Sequence, residues 1–177
     1  MKIAIDARLI GNSVIGTHIE NIVSMLIYKY TKHHYLLIGS EKQIGLYQGI
    51  PNVDLLITNI PQFSLKELWA FPVKEINRCD IYYCPYINIP GRIKVPIYST
   101  IHDVLFFDVK GLSSRWGTLL RWAFYKRAVC LSKALFTVSE FSATRIKKHF
   151  HTNKDIHVIL NGISKQIKEY NPIKERI

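Results

Sequence analysis

Val95-Pro96-Ile97-Tyr98-Ser99-Thr100-Ile101-His102-Asp103 is an apolar, β-branched run that stops on a polar Thr-Ile-His-Asp step. Its residue types are those of a buried strand, and its polar end delivers a histidine to the rim of a sheet. Open α/β sheets bind ligands in the crevice beyond the carboxyl ends of their strands. A histidine there can exchange a proton near neutral pH, and Asp103 beside it could fix the tautomer or meet a substrate hydroxyl. On these residues alone the simpler reading is structural, with His102 hydrogen-bonded at a strand end and Asp103 capping the next turn.

On both sides of this run, strand-like segments alternate with helical ones. Residues 2–6, 35–39, 53–57, 80–83, 134–138 and 156–160 are short and apolar, with turn residues such as Pro51-Asn52 and Pro61 at their borders. Ile15, Ile19, Ile22, Val23, Leu26 and Ile27 recur at helical spacing after a loop from Gly11 to Gly16. Ser64 with Glu67 three residues on forms a capping-box pattern for a helix over 64–78, kinked near Pro72. Ser113 or Ser114 is the expected cap of a long basic and aromatic helix reaching Cys130, and Ser139 caps another ending near Phe150. This alternation predicts parallel pairing through right-handed crossovers, hence an α/β fold with one doubly wound, mostly parallel sheet and helices on both faces.

The chain has 177 residues, enough for one well-buried core, and 48% of them are hydrophobic against 21% charged, which excludes a disordered composition. Met1-Lys2 leads into a strand without an apolar leader, and no later run approaches the roughly 18 apolar residues of a spanning helix. A cytosolic or peripheral protein is expected. Cys79, Cys84 and Cys130 form neither an even secreted framework nor a metal-ligand pair, so reduced thiols and no metal site are expected. The net charge of +11 is uneven: residues 1–109 carry ten Lys/Arg against nine Asp/Glu, and residues 110–177 fourteen against four. Such asymmetry points to an anionic partner, whether phosphate-bearing substrate, membrane or nucleic acid, although a solvated basic face gives the same numbers.

Six pieces fall into one ordered pattern: Lys2-Ile3-Ala4-Ile5-Asp6-Ala7-Arg8, Ile15-Gly16-Thr17, Asp80-Ile81-Tyr82-Tyr83-Cys84-Pro85, Thr100-Ile101-His102-Asp103, Thr137-Val138-Ser139-Glu140-Phe141-Ser142 and Val158-Ile159-Leu160-Asn161-Gly162-Ile163. Together they resemble the amino-terminal half of family 4 glycosyltransferases, retaining enzymes of the GT-B fold, and look closest to mannosyltransferase-like members. The resemblance implies a Rossmann-like, acceptor-binding domain over residues 1–162 and the start of an interdomain linker over 163–177. The donor-binding domain would lie outside this sequence, and the 177 residues alone are expected to be inactive. The resemblance also implies no cofactor, a nucleotide sugar such as GDP-mannose or a UDP-sugar as co-substrate, and a saccharide or lipid-linked acceptor. The implied setting is cell-surface polysaccharide or lipopolysaccharide synthesis, in the cytoplasm or peripherally at the inner face of the plasma membrane.

Site residues follow from the same resemblance. His102 and Asp103 are the expected catalytic pair, with His102 a cleft-facing substrate contact more than a general base. Gly16 and Thr17 belong to the turn that approaches the donor phosphate, where free N–H groups and the helix dipole favour an anion. The segment Gly11-Asn12-Ser13-Val14-Ile15-Gly16-Thr17 is neither a P-loop nor a triple-glycine dinucleotide turn, and Val14 stands where members often have glycine. Ser139 and Glu140 match a cleft-facing helix start, although Ser139 is equally explained as a cap. Arg8 could reach an anionic acceptor group or form a surface ion pair. Tyr83, Pro85 and Tyr86 are expected on the acceptor side, by stacking or by packing. Trp116, Arg121, Trp122, Lys126 and Arg127 make the long basic helix a membrane-surface candidate. The competing readings are a non-catalytic module for anionic membrane or nucleic acid, and a regulatory half-enzyme. No nucleic-acid motif accompanies the charge, so no nucleic-acid partner is expected.

Overall fold

A computed structural model describes residues 1–109, 111, 112 and 114–161. Seven strands, β1 (Lys2–Asp6), β2 (His34–Gly39), β3 (Val53–Ile57), β4 (Ile81–Cys84), β5 (Ile97–Thr100), β6 (Ser132–Thr137) and β7 (Ile156–Val158), form one sheet. Their order is β3-β2-β1-β4-β5-β6-β7, and every neighbouring pair is parallel. The flanking helices are α1 (Ser13–Lys29), α2 (Glu41–Ile44), α3 (Glu67–Ala70), α4 (Val73–Ile76), α5 (Leu105–Asp108), α6 (Arg115–Leu131) and α7 (Glu140–Phe150).

Strands covered on both faces need apolar side chains on both, which is why β1 and β2 read as nearly unbroken apolar runs. Ala4, Ile5, Leu37 and Ile38 are fully buried, and the α1 stripe meets them through Ile19, Val23 and Ile27. A second, smaller core under α6 and α7 joins Ile101, Tyr125, Val129, Leu135, Ile146 and Phe150. Strand order reverses between β1 and β4, because chain growth moves outward through β2 and β3 and then returns to the other side of β1. The carboxyl ends of the strands around this reversal are where such sheets leave a crevice.

Several local expectations are corrected. Helix α1 begins at Ser13, before the Ile15-Gly16-Thr17 step, so Gly16 lies inside its first turn. A Cβ at Gly16 would stand 2.1 Å from the Leu9 carbonyl oxygen, so the glycine is required by close packing of the helix on the preceding turn. The helix expected over 64–78 is two short helices, α3 and α4, divided at Phe71-Pro72, and α3 starts after Lys66 rather than Ser64. Ser64 Oγ donates to the Pro61 carbonyl at 2.8 Å, and Glu67 turns inward instead of completing a capping box. Helices α2 and α5 were not anticipated. Ser114 does cap α6, its Oγ accepting the Gly117 N–H at 3.1 Å, whereas Ser113 lies outside the described residues. The linker reading of residues 163–177 and the boundary at Gly162 also fall outside them. All three cysteines are free thiols, Cys79 and Cys84 buried and Cys130 exposed.

Candidate functional site

The strand-order reversal is filled by a buried polar cluster. Asp6 ends β1, and Arg8 two residues later folds back on it, with Nε 2.9 Å from Asp6 Oδ1 and Nη2 2.7 Å from Oδ2. The same Nη2 lies 2.5 Å from Glu67 Oε1 and donates to the Tyr86 hydroxyl, while Nη1 donates to the Ile60 carbonyl at 3.0 Å. Tyr86 in turn donates to Asp6 Oδ2 at 2.6 Å. The Arg8 carbonyl accepts from the side-chain amides of Gln43 and Gln62, and the guanidinium stacks over Phe71. Arg8 is 1% exposed and Glu67 0%. Arg8 is therefore neither a surface ion pair nor a group facing a ligand: its donors are used within the fold, because a buried cation needs its hydrogen bonds completed internally. Two carboxylates share this one cation. Burial, together with nearby Asp6, pushes the Glu67 carboxyl up to about 7 despite the arginine.

Beside the cluster, a cavity of about 450 Å³ opens at the carboxyl ends of β4 and β5, lined by Tyr86, Thr100, His102, Asp103, Arg121 and Tyr125 among others. This is within the range of about 300–1,000 Å³ usual for small-molecule sites. His102 is held through its ring and its backbone. Its Nε2 is 3.0 Å from the Pro85 carbonyl, its own carbonyl accepts from Ser142 Oγ at 3.1 Å, and Thr137 Oγ1 donates to the preceding carbonyl of Ile101 at 2.7 Å. A carbonyl only accepts, so Nε2 carries the proton in this contact and Nδ1 is the ring's acceptor. Burial lowers the pKa of His102, with nearby His18 adding to the effect and the Pro85 hydrogen bond opposing it. The ring that His18 sets edge-on to His102 lies at a centroid distance of 5.1 Å and an interplanar angle of 85°.

His18 was missed by sequence reasoning. It is 4% exposed, its Nε2 is buried with no hydrogen-bond partner, and burial lowers its pKa. The signal was present: His18 is three residues after Ile15 and four before Ile22, so it falls within the inward stripe of α1.

The remaining candidates divide. Asp103 lines the cavity and its Oδ1 also accepts the Leu105 N–H at 3.0 Å, so it caps the turn into α5 as the simpler reading had it. Pro85 contributes its carbonyl to His102, and Tyr86 contributes to the cavity wall. Tyr83 does not line this cavity. It is buried and shares a 2.7 Å hydrogen bond with Thr100, since its position in β4 directs it into the sheet's packing. Ser139 caps α7 by accepting the Ser142 N–H at 3.1 Å, while Glu140 and Thr17 are exposed. The long basic helix is mixed. Trp116 is 81% exposed and Trp122 is exposed too. Lys126 Nζ instead donates to the Phe150 carbonyl at 3.0 Å and Arg127 Nη2 to Pro90 at 3.2 Å, tying α6 to its neighbours. Arg121 belongs to the cavity wall.

Among the described residues no helix is long and apolar enough to cross a membrane. The family described as Glycosyltransferase Family 4 matches residues 43–166, a span that contains the Glu67, His102 and Ser139 segments and leaves out Arg8, Gly16 and His18. No curated protein matches the chain.

Proposed function

Because the chain belongs to glycosyltransferase family 4, we propose that it forms the acceptor-binding half of a retaining glycosyltransferase, with the acceptor seated in the His102 cavity. The observation that supports this most directly is the imidazole of His102, fixed on the Pro85 carbonyl at the rim of an about 450 Å³ cavity beyond the strand ends, where burial favours its neutral form. An Nδ1 acceptor and the Asp103 carboxylate suit sugar hydroxyls. The aromatic walls Tyr86, Phe63 and Phe106 suit the apolar faces of a sugar ring.

In this reading, His102 and Asp103 position the acceptor hydroxyl and neither forms a covalent bond to the sugar. Transfer with retention proceeds by front-face attack, the donor's own phosphate taking the proton as the diphosphate departs. The protein's contribution is alignment and charge stabilisation. The donor is a nucleotide sugar, GDP-mannose or a UDP-sugar, held chiefly by a carboxy-terminal domain, so the 177 residues by themselves turn over no donor. The uncapped start of α1 at Ser13, one turn before Gly16 and Thr17, contributes N–H groups toward the donor phosphate. The acceptor is a saccharide or a lipid-linked saccharide of cell-surface polysaccharide or lipopolysaccharide synthesis, met at the inner face of the plasma membrane.

A transfer assay on the protein joined to its donor-binding half, run with a panel of sugar nucleotides, tests the reading. His102→Ala is expected to lower kcat/KM by about 100-fold through lost positioning. Transfer at the wild-type rate in that variant would remove His102 from the site.

A further inference from the structure

The sequence offered Arg8 for an anionic acceptor, and the structure takes Arg8 out of reach by burying it between Asp6 and Glu67. A different arginine stands in the cavity. Arg121, half-buried on α6, lines the His102 cavity together with Tyr125 one turn further on. Its guanidinium lies over the Phe106 ring at 4.2 Å, which holds the planar fork in place without using any of its donors.

Nothing in the described residues answers that charge. Arg121 Nε is buried with no hydrogen-bond partner, and no carboxylate forms an ion pair with the side chain. Three other cations of this region are engaged: Lys126 with Phe150, Arg127 with Pro90, and Arg145 with Asp108. A buried donor left open in a cavity wall marks a place where a ligand completes the hydrogen bonding. Arg121, with Phe63 and Ile87, also lines a side recess of about 130 Å³, whose wall includes Asn88. Asn88 is 1% exposed, and its Oδ1 is likewise buried without a partner. Two residues that carry orphaned polar atoms thus line one recess, a donor on a cation and an amide acceptor, whereas the Asp103 carboxylate lines only the main cavity.

We propose that Arg121 binds an oxyanion carried by the acceptor, a phosphate or a carboxylate, and that the acceptor is therefore an anionic saccharide rather than a neutral one. The inference rests on the reading of the His102 cavity as the acceptor site. The hydroxyl to be glycosylated lies toward His102 and Asp103, the oxyanion on the Arg121 fork, and a neighbouring hydroxyl meets Asn88.

The test is an NMR titration of the 177-residue chain with three probes: α-D-glucose 1-phosphate, D-glucuronate and methyl α-D-glucoside. The imidazole of His102 and the Arg121 Nε–H report binding. At least one anionic probe is expected to bind about tenfold more tightly than the neutral glucoside, with the Arg121 Nε–H signal shifted. Arg121→Gln is expected to bring that ratio close to one. Arg121→Lys is expected to keep part of it, and Arg115→Gln, which removes a charge from the same helix outside this cavity, to keep all of it. Preference for the phosphate or for the glucuronate identifies the oxyanion. Equal binding of the neutral and anionic probes, or a preference that survives Arg121→Gln, overturns the inference and leaves the acceptor reading standing. If no probe perturbs His102, both fall together.

Discussion

Glu67 is the residue whose protonation bears most on stability. Its carboxyl is raised to about 7 from 4.5, so between those values the folded state holds a proton that the unfolded chain has released. Stability from this group therefore falls as pH rises from about 4.5 through about 7. Glu67→Gln mimics the protonated form and keeps an acceptor for Arg8, which still has Asp6. Denaturant melts are expected to show the variant gaining on wild type across that window, by up to about 3 kcal/mol above it. His102 and the His18 ring packed against it are both depressed by burial, so their NMR midpoints are expected below 6.5. A His102 midpoint above that value would contradict the neutral imidazole on which the site's chemistry is built. His102 and Asp103 were legible in the sequence because a polar step ends an apolar run. The Arg8–Glu67 pair was not, since 59 residues separate the two and Glu67 sits at a spacing that imitates a capping box.

At the scale of elements, the seven strands were readable to within a few residues, the central ones because burial on both sheet faces leaves apolar runs and the edge strands β3 and β7 from short apolar, β-branched segments. Helices α2 and α5 have four residues each, too few for a periodicity to register. Gly16→Ala would force a Cβ against the Leu9 carbonyl, and a loss of about 1–3 kcal/mol is expected, measured as a lowered Tm. Helix α5, which carries Phe106 into the cavity wall, is fastened to α7 through Asp108. Arg145 Nε lies 3.0 Å from Asp108 Oδ2, and His149 Nε2 lies 2.7 Å from Oδ1. Arg145 holds the Asp108 carboxyl down to about 2, so the fastening is complete above about 3.8 and is lost as pH falls through about 2. Asp108→Asn is expected to speed hydrogen exchange in residues 105–108 at neutral pH, with α1 unchanged.

Across the whole molecule, the parallel alternation was legible but the placement of cations was not. Composition locates fourteen of them after residue 109 without saying which point outward. The structure divides them. On α6, Trp116, Leu119 and Leu120 are exposed while Lys126 and Arg127 are tied to carbonyls. If that outer face docks on an anionic membrane, Trp116→Ala with Leu119→Ala should weaken cosedimentation with phosphatidylglycerol vesicles several-fold, and added salt should weaken the wild type further. Binding unchanged by both would leave the face to ordinary solvent. The three thiols divide in the same inside-and-outside manner. Burial pushes Cys79 and Cys84 up, away from the reactive thiolate, whereas Cys130 is exposed near the end of the same helix. A maleimide dye added to the native protein should therefore attach at one place, with no cysteine engineered out beforehand. That gives a ready-made optical reporter, anchored on the helix that walls the cavity, for following what enters and leaves it.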